Sequence, residues 1–423
     1  MLFRSVYLIK SSRIGFSQGL LQYTTKATKR PNVWVVTDGG IESTLQAVTV
    51  GKRLGEFNVK TIQSSQFIRV LPMVLQKYIV DWGTKRNMTT TKSLPWYLSG
   101  DSTEAGPPPD YVVCSGNNAV PGALQVAQSY PPKQVFSVFL GFTNLPFIHF
   151  DQVVIPKYEA NVKMAKLGPL VIQKNCIVTE VPLLDTALLP LTGKSKQLCD
   201  DLLHAFSTKE KKDTTVVVIG GHTSQCRWYS EDAVNLVHNM KKMVTHLGSN
   251  LLVIFTEKTP LSIKQTITNT ISKSIPEHDT KVVTWDTTQE GLTSLERIEA
   301  YDNLIHKASR VVVTADLDYA TAHATMKRKP VYVTFGGQCR GHLLQFQRWL
   351  RDQRLTRKLR LDRKHKPSHH PKQQPLVDPY SYLGHHPSFA VAAKVFAPAT
   401  MDHVIHELET IRQEKITGKR RQD

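Results

Sequence analysis

Short β-branched apolar runs, each closed by a turn and followed by an amphipathic stretch, recur along most of the chain. Val33–Thr37 predicts a strand, Asp38-Gly39-Gly40 its loop, and residues 43 to 54 a helix that stops at Gly55. Val59–Ile62 predicts the next strand. Residues 84–109 are polar and end in Gly106-Pro107-Pro108-Pro109, which predicts a loop. Tyr111–Cys114 predicts a strand that turns through Ser115-Gly116-Asn117-Asn118 into a helix over Gly122–Ser129. Val135–Leu140 and Gln152–Ile155 predict two further strands.

The pattern then restarts. Residues 190–213 are polar and lysine-rich and predict a domain boundary. Thr215–Ile219 predicts a strand ending in Gly220-Gly221-His222-Thr223-Ser224, followed by a helix over Ser230–Leu247. Leu251–Thr256, Val282–Trp285, Val311–Thr314 and Val331–Phe335 predict strands. Ser262–Ser274, Tyr301–Ala308 and Thr321–Met326 predict the helices between them. Gln345–Arg357 places Phe346, Trp349 and Leu350 among arginines, which predicts a helix with an apolar underside. Two such βαβ series in tandem predict an α/β chain: two Rossmann-like domains facing across a cleft, with parallel sheets and helices on both faces.

The expected domains are a targeting segment over 1–30, a first Rossmann-like domain over 31–200 and a second over 213–361. Residues 362–387, rich in His, Pro, Lys and Gln, predict a disordered insertion. Residues 388–417 predict a closing segment, its helix capped by Thr400 and lined by Val404, Ile405, Leu408 and Ile411.

Charge changes this picture only after it is located. The formal charge is +19. Residues 1–30 hold six Lys/Arg and no acid, 351–373 nine against two Asp, and 411–423 five against two acids. These segments together carry +16, so the predicted folded body is near neutral. No aromatic-interleaved basic motif accompanies them, which argues against a nucleic-acid partner. No run of about 18 apolar residues predicts a membrane span. The first 30 residues combine Arg4, Lys10, Arg13 and several serines with an apolar stripe of Leu2, Phe3, Val6, Ile9 and Ile14. That is the composition of a mitochondrial transit peptide; a plain basic tail is the alternative. The five cysteines are scattered, without CxxC or zinc spacing, and read as buried or idle thiols.

Candidate chemistry gathers at the strand-to-helix turns. Gly220, Gly221, His222, Thr223 and Ser224 are the best anion-site candidates, because glycines admit a phosphate and a following helix supplies free N–H groups. A purely structural turn is the other reading. Asp38 is a weak acid-or-base candidate at a strand's carboxyl end, and suits a helix cap or turn brace equally. Arg227 suits an anion clamp or an interface. His365, His369 and His370 lack thiol partners and predict no metal site. No GxGxxG or Walker sequence is present, so no cofactor follows from motifs.

In order and spacing these landmarks resemble the mitochondrial fission family named after the plant elongated-mitochondria protein, from about residue 33 to residue 357. Trp34, Asp38, Gly39, Gln46 and Gly51 through Leu54-Gly55 match its opening, with Glu42 where the second glycine of that pattern stands. Residues 109–116 match a P-D-x-V-x-x-x-G strand, and residues 150–156 match F-D-x-V-x-x-P. Tyr158-Glu159 replaces a His-Asp, Glu257-Lys258 a basic pair before Thr259-Pro260. Residues 315–324 replace a serine-rich turn, retaining Asp316 and putting His323 at the glutamate position.

The resemblance implies a GT-B glycosyltransferase-like architecture with a nucleotide-sugar cleft, so a nucleotide-sugar is the ligand class to test. A glutamate at position 323 would pair with donor ribose hydroxyls. A histidine cannot accept two such hydrogen bonds. Losing that pair costs on the order of 2 kcal/mol, roughly tenfold in affinity or more. With this departure, the resemblance implies a mitochondrial, non-catalytic interaction factor promoting fission through a dynamin-related GTPase, and the basic segments suit an anionic membrane surface as a further partner. A glycosyltransferase with a modified donor site is the alternative, and a matrix protein unrelated to fission a third. A cleavable leader favours the matrix, whereas dynamins assemble outside.

Overall fold

A computed structural model describes residues 30–86, 94–101, 107–163, 175–206, 213–275, 281–289, 291–360 and 389–418. The first sheet is built from β1 (Asn32–Thr37), β2 (Glu56–Ser64), β3 (Leu98–Gly100), β4 (Tyr111–Ser115), β5 (Phe136–Leu140), β6 (Gln152–Pro156) and β7 (Cys176–Thr179). Its order is β3-β2-β1-β4-β5-β6-β7, and only β3 runs antiparallel. The second sheet contains β8 (Thr214–Ile219), β9 (Asn250–Phe255), β10 (Val282–Asp286), β11 (Arg310–Thr314), β12 (Val331–Thr334) and β13 (Arg357–Lys358). Its order is β10-β9-β8-β11-β12-β13, parallel throughout. Each sheet thus reverses its winding once, between β1 and β4 and between β8 and β11. This is the doubly wound Rossmann pattern, with its ligand crevice at the reversal.

The helices are α1 (Ile41–Leu54), α2 (Gln66–Arg69), α3 (Met73–Lys85), α4 (Val120–Gln128), α5 (Lys157–Lys163), α6 (Gly193–His204), α7 (Ser230–Leu247), α8 (Leu261–Ser274), α9 (Ser294–Lys307), α10 (Asp318–Met326), α11 (Gly341–Asp352), α12 (Phe389–Val395) and α13 (Pro398–Thr417). Period-two alternation along β1 divides the core. Val33 and Val35 face one side of the sheet, with Ile41, Leu45 and Val48 of α1. Trp34 and Val36 face the other, with Val80 of α3 and Ala123 of α4. The α1-side cluster continues without a break into the second half, taking in Val216–Ile219 and Leu251–Phe255. α1 also packs on α9 and α10.

The last helix, α13, returns to the first half. Lys415 pairs with Asp151 at 2.7 Å, Arg53 with Asp402 at 2.8 Å, and Arg412 with Asp110. The Arg412 guanidinium also lies 4.8 Å over the Tyr111 ring.

The structure adds elements that the sequence pattern did not predict: α2, α3, α5 and β7, and β3 inside the expected loop. α6 occupies part of the polar stretch expected as a boundary. Thr192 and Ser195 cap it reciprocally, and it packs on α9. α13 begins at Pro398, not at a Thr400 cap, because proline suits the first turn, whose N–H needs no partner. The 345–357 helix is α11, shifted to Gly341–Asp352. The targeting segment apart from Arg30, residues 207–212 and the 362–387 insertion, with His365, His369 and His370 in it, lie outside the described residues. Among the described residues no helix is long and apolar enough to cross a membrane.

α1 can lie flush on β1 because position 51 has no side chain. A Cβ there would stand 2.5 Å from a Val35 methyl. Overpacking of this kind costs about 1–3 kcal/mol, and alanine recovers only about 1 kcal/mol of helix propensity. Gly51→Ala should therefore lower stability by about 1 kcal/mol. Urea unfolding checks it; an unchanged or raised midpoint contradicts the packing.

Candidate functional site

The carboxyl ends of both sheets face each other across a cavity of about 430 Å³. Asp38, Glu42, Ser115 and Gly116 line it from the first reversal point, and Thr223, Ser224, Glu257, Lys258 and Asp316 from the second. Glu159, Asp318, Tyr319 and His342 close one side.

At the first reversal, Asp38 braces its own turn. Its Oδ1 accepts from the Ser43 hydroxyl at 2.6 Å and from the Gly40 N–H at 3.3 Å. Gly116 has φ +90°, and a Cβ there would stand 2.5 Å from the Asp38 carboxylate. The carboxylate therefore sits between two turns and faces the cavity, with brace and cavity-lining roles both visible.

At the second reversal the glycines make room for a carboxylate of the chain itself. Asp316 accepts from the Gly221 N–H at 2.9 Å and from the Trp228 indole N–H at 3.0 Å. The Gly220 N–H donates to Thr314 Oγ1 at 2.9 Å. A Cβ on Gly220 would lie 1.9 Å from Asp316 Oδ2, and one on Gly221 2.1 Å from the Lys258 carbonyl oxygen. Burial pushes the Asp316 carboxyl above its ordinary value, and these donors together with Lys258 work against that. The Gly221 N–H that the sequence offered to a bound anion is thus taken by Asp316. Thr223 and Ser224 line the cavity. His222 is exposed and stacks on Tyr229, and Arg227 is exposed.

His323 does not line the cavity. It is buried, and its Nε2 pairs with Asp302 Oδ1 at 2.8 Å. Lys327 approaches the same oxygen at 2.7 Å, and the Leu189 N–H donates to the other at 2.8 Å. The histidine that the resemblance put at the donor position instead joins α10 to α9 and to the chain between the halves. Burial holds its pKa below the ordinary histidine value.

The sequence registered Glu42, Glu159, Glu257, Lys258, Asp318 and Tyr319 only as departures from the family pattern, and gave no signal for His342. They form the join between the halves. Glu257, from the second half, accepts from the Ile41 N–H at the start of α1 at 3.1 Å. Glu42, from α1, accepts from the Ala320 N–H in the first turn of α10 at 2.9 Å. Lys258 pairs with Glu42 between them. Burial works against the Lys258 charge, but Glu42, Asp318 and Glu257 outweigh it and hold the ammonium above its ordinary pKa. Burial raises Glu42 and Glu257. Tyr158 donates to Asp318 at 3.0 Å, and Thr61 and Ser294 share a 2.7 Å hydrogen bond. Glu159, Asp318 and His342 bring ligand atoms within 4.8 Å of one another, a donor set of the kind that holds a divalent cation. Asp318 already accepts from Tyr158, and Glu159 from the Phe142 N–H at 3.0 Å.

Two cysteines far apart in sequence also meet. The Cys226 and Cys339 sulfurs lie 3.2 Å apart behind the Gly-Gly turn. That hydrogen bond and burial push the Cys226 thiol up, as expected of buried, unreactive thiols.

Two doubly wound halves with their reversal points facing across one cavity define a GT-B-like scaffold. The profile of the family "Mitochondrial fission ELM1" matches residues 40–380, and the chain belongs to this family. Among curated proteins no match is found. Among solved structures, the chain is similar to Anabaena HepE in complex with UDP-glucose, at 10% identity and a TM-score of 0.42, covering 90% of this chain and 99% of that one. E. coli ADP-heptose heptosyltransferase II follows at 10% and 0.40, covering 91% and 99%. A UDP-forming trehalose-phosphate synthase from Burkholderia xenovorans gives 10% and 0.38, covering 92% and 96%.

Two buried charges make separable predictions. Lys258→Met leaves Glu42 without its counter-charge. Discounted for a partly exposed lysine, this should cost about 2 kcal/mol at pH 7. Glu42 is raised above its ordinary pKa, so its neutral form favours the fold at low pH and that contribution is lost as pH rises. The deficit should therefore shrink toward pH 5, and a deficit independent of pH would contradict the pairing. Asp302 runs the other way. Burial opposes its charge, but His323 and Lys327 hold it down at about 2. Its contribution is present above the ordinary carboxylate range and lost as pH falls through about 2. Asp302→Asn should cost about 3 kcal/mol at pH 7 and much less at pH 2–3. Calorimetric melts at both pH values read this directly.

Proposed function

We propose that the chain is a non-catalytic interaction factor on a glycosyltransferase-like scaffold that promotes mitochondrial fission by helping recruit a dynamin-related GTPase. One observation carries the non-catalytic part. The cavity that would hold a nucleotide-sugar is lined by six carboxylates against one lysine, and that lysine is paired with Glu42. A pyrophosphate entering there meets like charge, and the Gly221 N–H it would need already serves Asp316. Glu42, Glu257 and Asp318 replace family residues at just those positions, and they engage each other's half of the molecule.

The recruitment role rests on the family. Its test is deletion of the gene followed by imaging. Longer mitochondria with less dynamin-related GTPase on them, restored by both the wild type and Asp38→Asn, support the reading; unchanged morphology overturns it. Protease protection in isolated mitochondria assigns the compartment, and a protected, shortened chain excludes direct recruitment on the outer surface.

The catalytic alternative has its own measurement. A nucleotide-sugar that binds tightly would add about 2.7 kcal/mol of stability at a hundredfold excess over its dissociation constant. Melting with UDP, GDP and their sugars should show no shift, and a clear shift would restore the glycosyltransferase reading.

A further inference from the structure

Most of the large exposed apolar side chains among the described residues lie on α2, α3 and their surroundings. α3 buries Gln76, Val80 and Gly83 along one stripe. Val74, Tyr78 and Trp82 recur every four residues on the opposite side and stand in solvent, with Leu75 beside them. Phe67 and Val70, 83% and 85% exposed, extend this surface through α2. Trp96 and Ile148 flank it, at 55% and 81%. Trp96 precedes Tyr97, which lies directly under Gly83 of α3. Ile148 precedes His149, which faces the Lys77–Asp81 pair. Exposed apolar side chains gathered on neighbouring elements in this way mark an interaction site.

The surrounding charge decides between occupants. Arg69, Lys85 and Arg86 are exposed around the apolar stripe. The Arg86 guanidinium lies 4.4 Å over the Trp82 ring, so cation and aromatic share one level. The acid of α3, Asp81, is taken up by Lys77 and by Gln128. Tryptophan and tyrosine beside apolar side chains, with nearby cations that form no ion pair among the described residues, match the headgroup boundary of an anionic bilayer. The surface lies on the face of the first sheet opposite α1, whereas the apolar core shared with the second half lies on the α1 side. We propose that α2 and α3 form a docking face for an anionic lipid surface, with Phe67, Val70, Tyr78 and Trp82 entering the interface and Arg69, Lys85 and Arg86 meeting lipid phosphates or carboxylates.

The face is independent of what the cavity holds. The full chain should co-sediment with phosphatidylcholine vesicles containing about 20% phosphatidylserine and much less with phosphatidylcholine alone, and salt should weaken the binding. Tyr78→Glu with Trp82→Glu should weaken it roughly tenfold or more, because two apolar anchors become anionic. Lys85→Glu with Arg86→Glu should weaken it and flatten its salt dependence. Basic segments elsewhere in the chain can also hold vesicles, so a second readout assigns the contact. Brominated lipids should quench the tryptophan fluorescence, and Trp82→Phe with Trp96→Phe should remove that quenching without changing the melting temperature. Absence of vesicle binding, or binding and quenching that survive all these substitutions, overturns the proposal. Self-association that Tyr78→Glu with Trp82→Glu abolishes, with vesicle binding unchanged, assigns the face to a second copy and overturns it equally.

Discussion

The two halves are held by an exchange of carboxylates between helix starts. Glu257 of the second half serves the first N–H of α1, and Glu42 of α1 serves the first turn of α10. Helix N-termini carry unpaired N–H groups and a positive dipole end, so each carboxylate finds a site that favours its charge. Two acids so close would repel, and Lys258 between them removes that obstacle. An ion pair between a buried carboxylate and a partly exposed lysine adds little net stability, because desolvation of Glu42 and solvent screening at Lys258 offset much of the attraction. What it fixes is geometry: any other docking of the halves would leave three charges and two helix starts unmatched.

Stability comes from elsewhere. The apolar cluster on the α1 side of the first sheet is continuous with the core of the second half, whereas the α3–α4 side forms a smaller cluster of its own. The join is therefore part of a core, and α13 adds ion pairs to the first half at Asp110 and Asp151. The walls of the cavity are tied together by the polar exchange above and the apolar cluster behind it. The same division explains why the exposed apolar surface sits on α2 and α3. That side of the first sheet has no second half to cover it.

Much of this was legible in the sequence, for physical reasons that also mark where legibility ends. Strands buried on both faces read as β-branched runs, so β1, β4, β8 and β11 stood out, and α7 spans Ser230–Leu247 as its capping and period predict. α3 did not stand out. It carries apolar side chains both toward the core and toward solvent, which erases the period that betrays an amphipathic helix. α6 was hidden by lysines and buries only Ser195, Cys199 and Leu202. Within the site, glycine turns were visible, but their partners were not. Asp316 is 95 residues from Gly221, Cys339 is 113 from Cys226, and nothing local tells which side of α10 His323 takes.

The Gly-Gly turn carries the more general consequence. At such a turn a glycine can show that something approaches the backbone closely; it does not show that the visitor is a ligand. At Gly220 and Gly221 the close neighbours are the Asp316 carboxylate and the Lys258 backbone. The turn chemistry suited to a phosphate is thus satisfied from within the chain, by an acid at the end of the adjacent strand. The +19 of the sequence misleads in the opposite sense, since residues 1–30, 351–373 and 411–423 carry +16 of it while the cavity collects acids. Ligand preference in such a scaffold follows from which internal groups already occupy the turns. That is decided by residues far apart in the chain, and neither glycine motifs nor net charge report it.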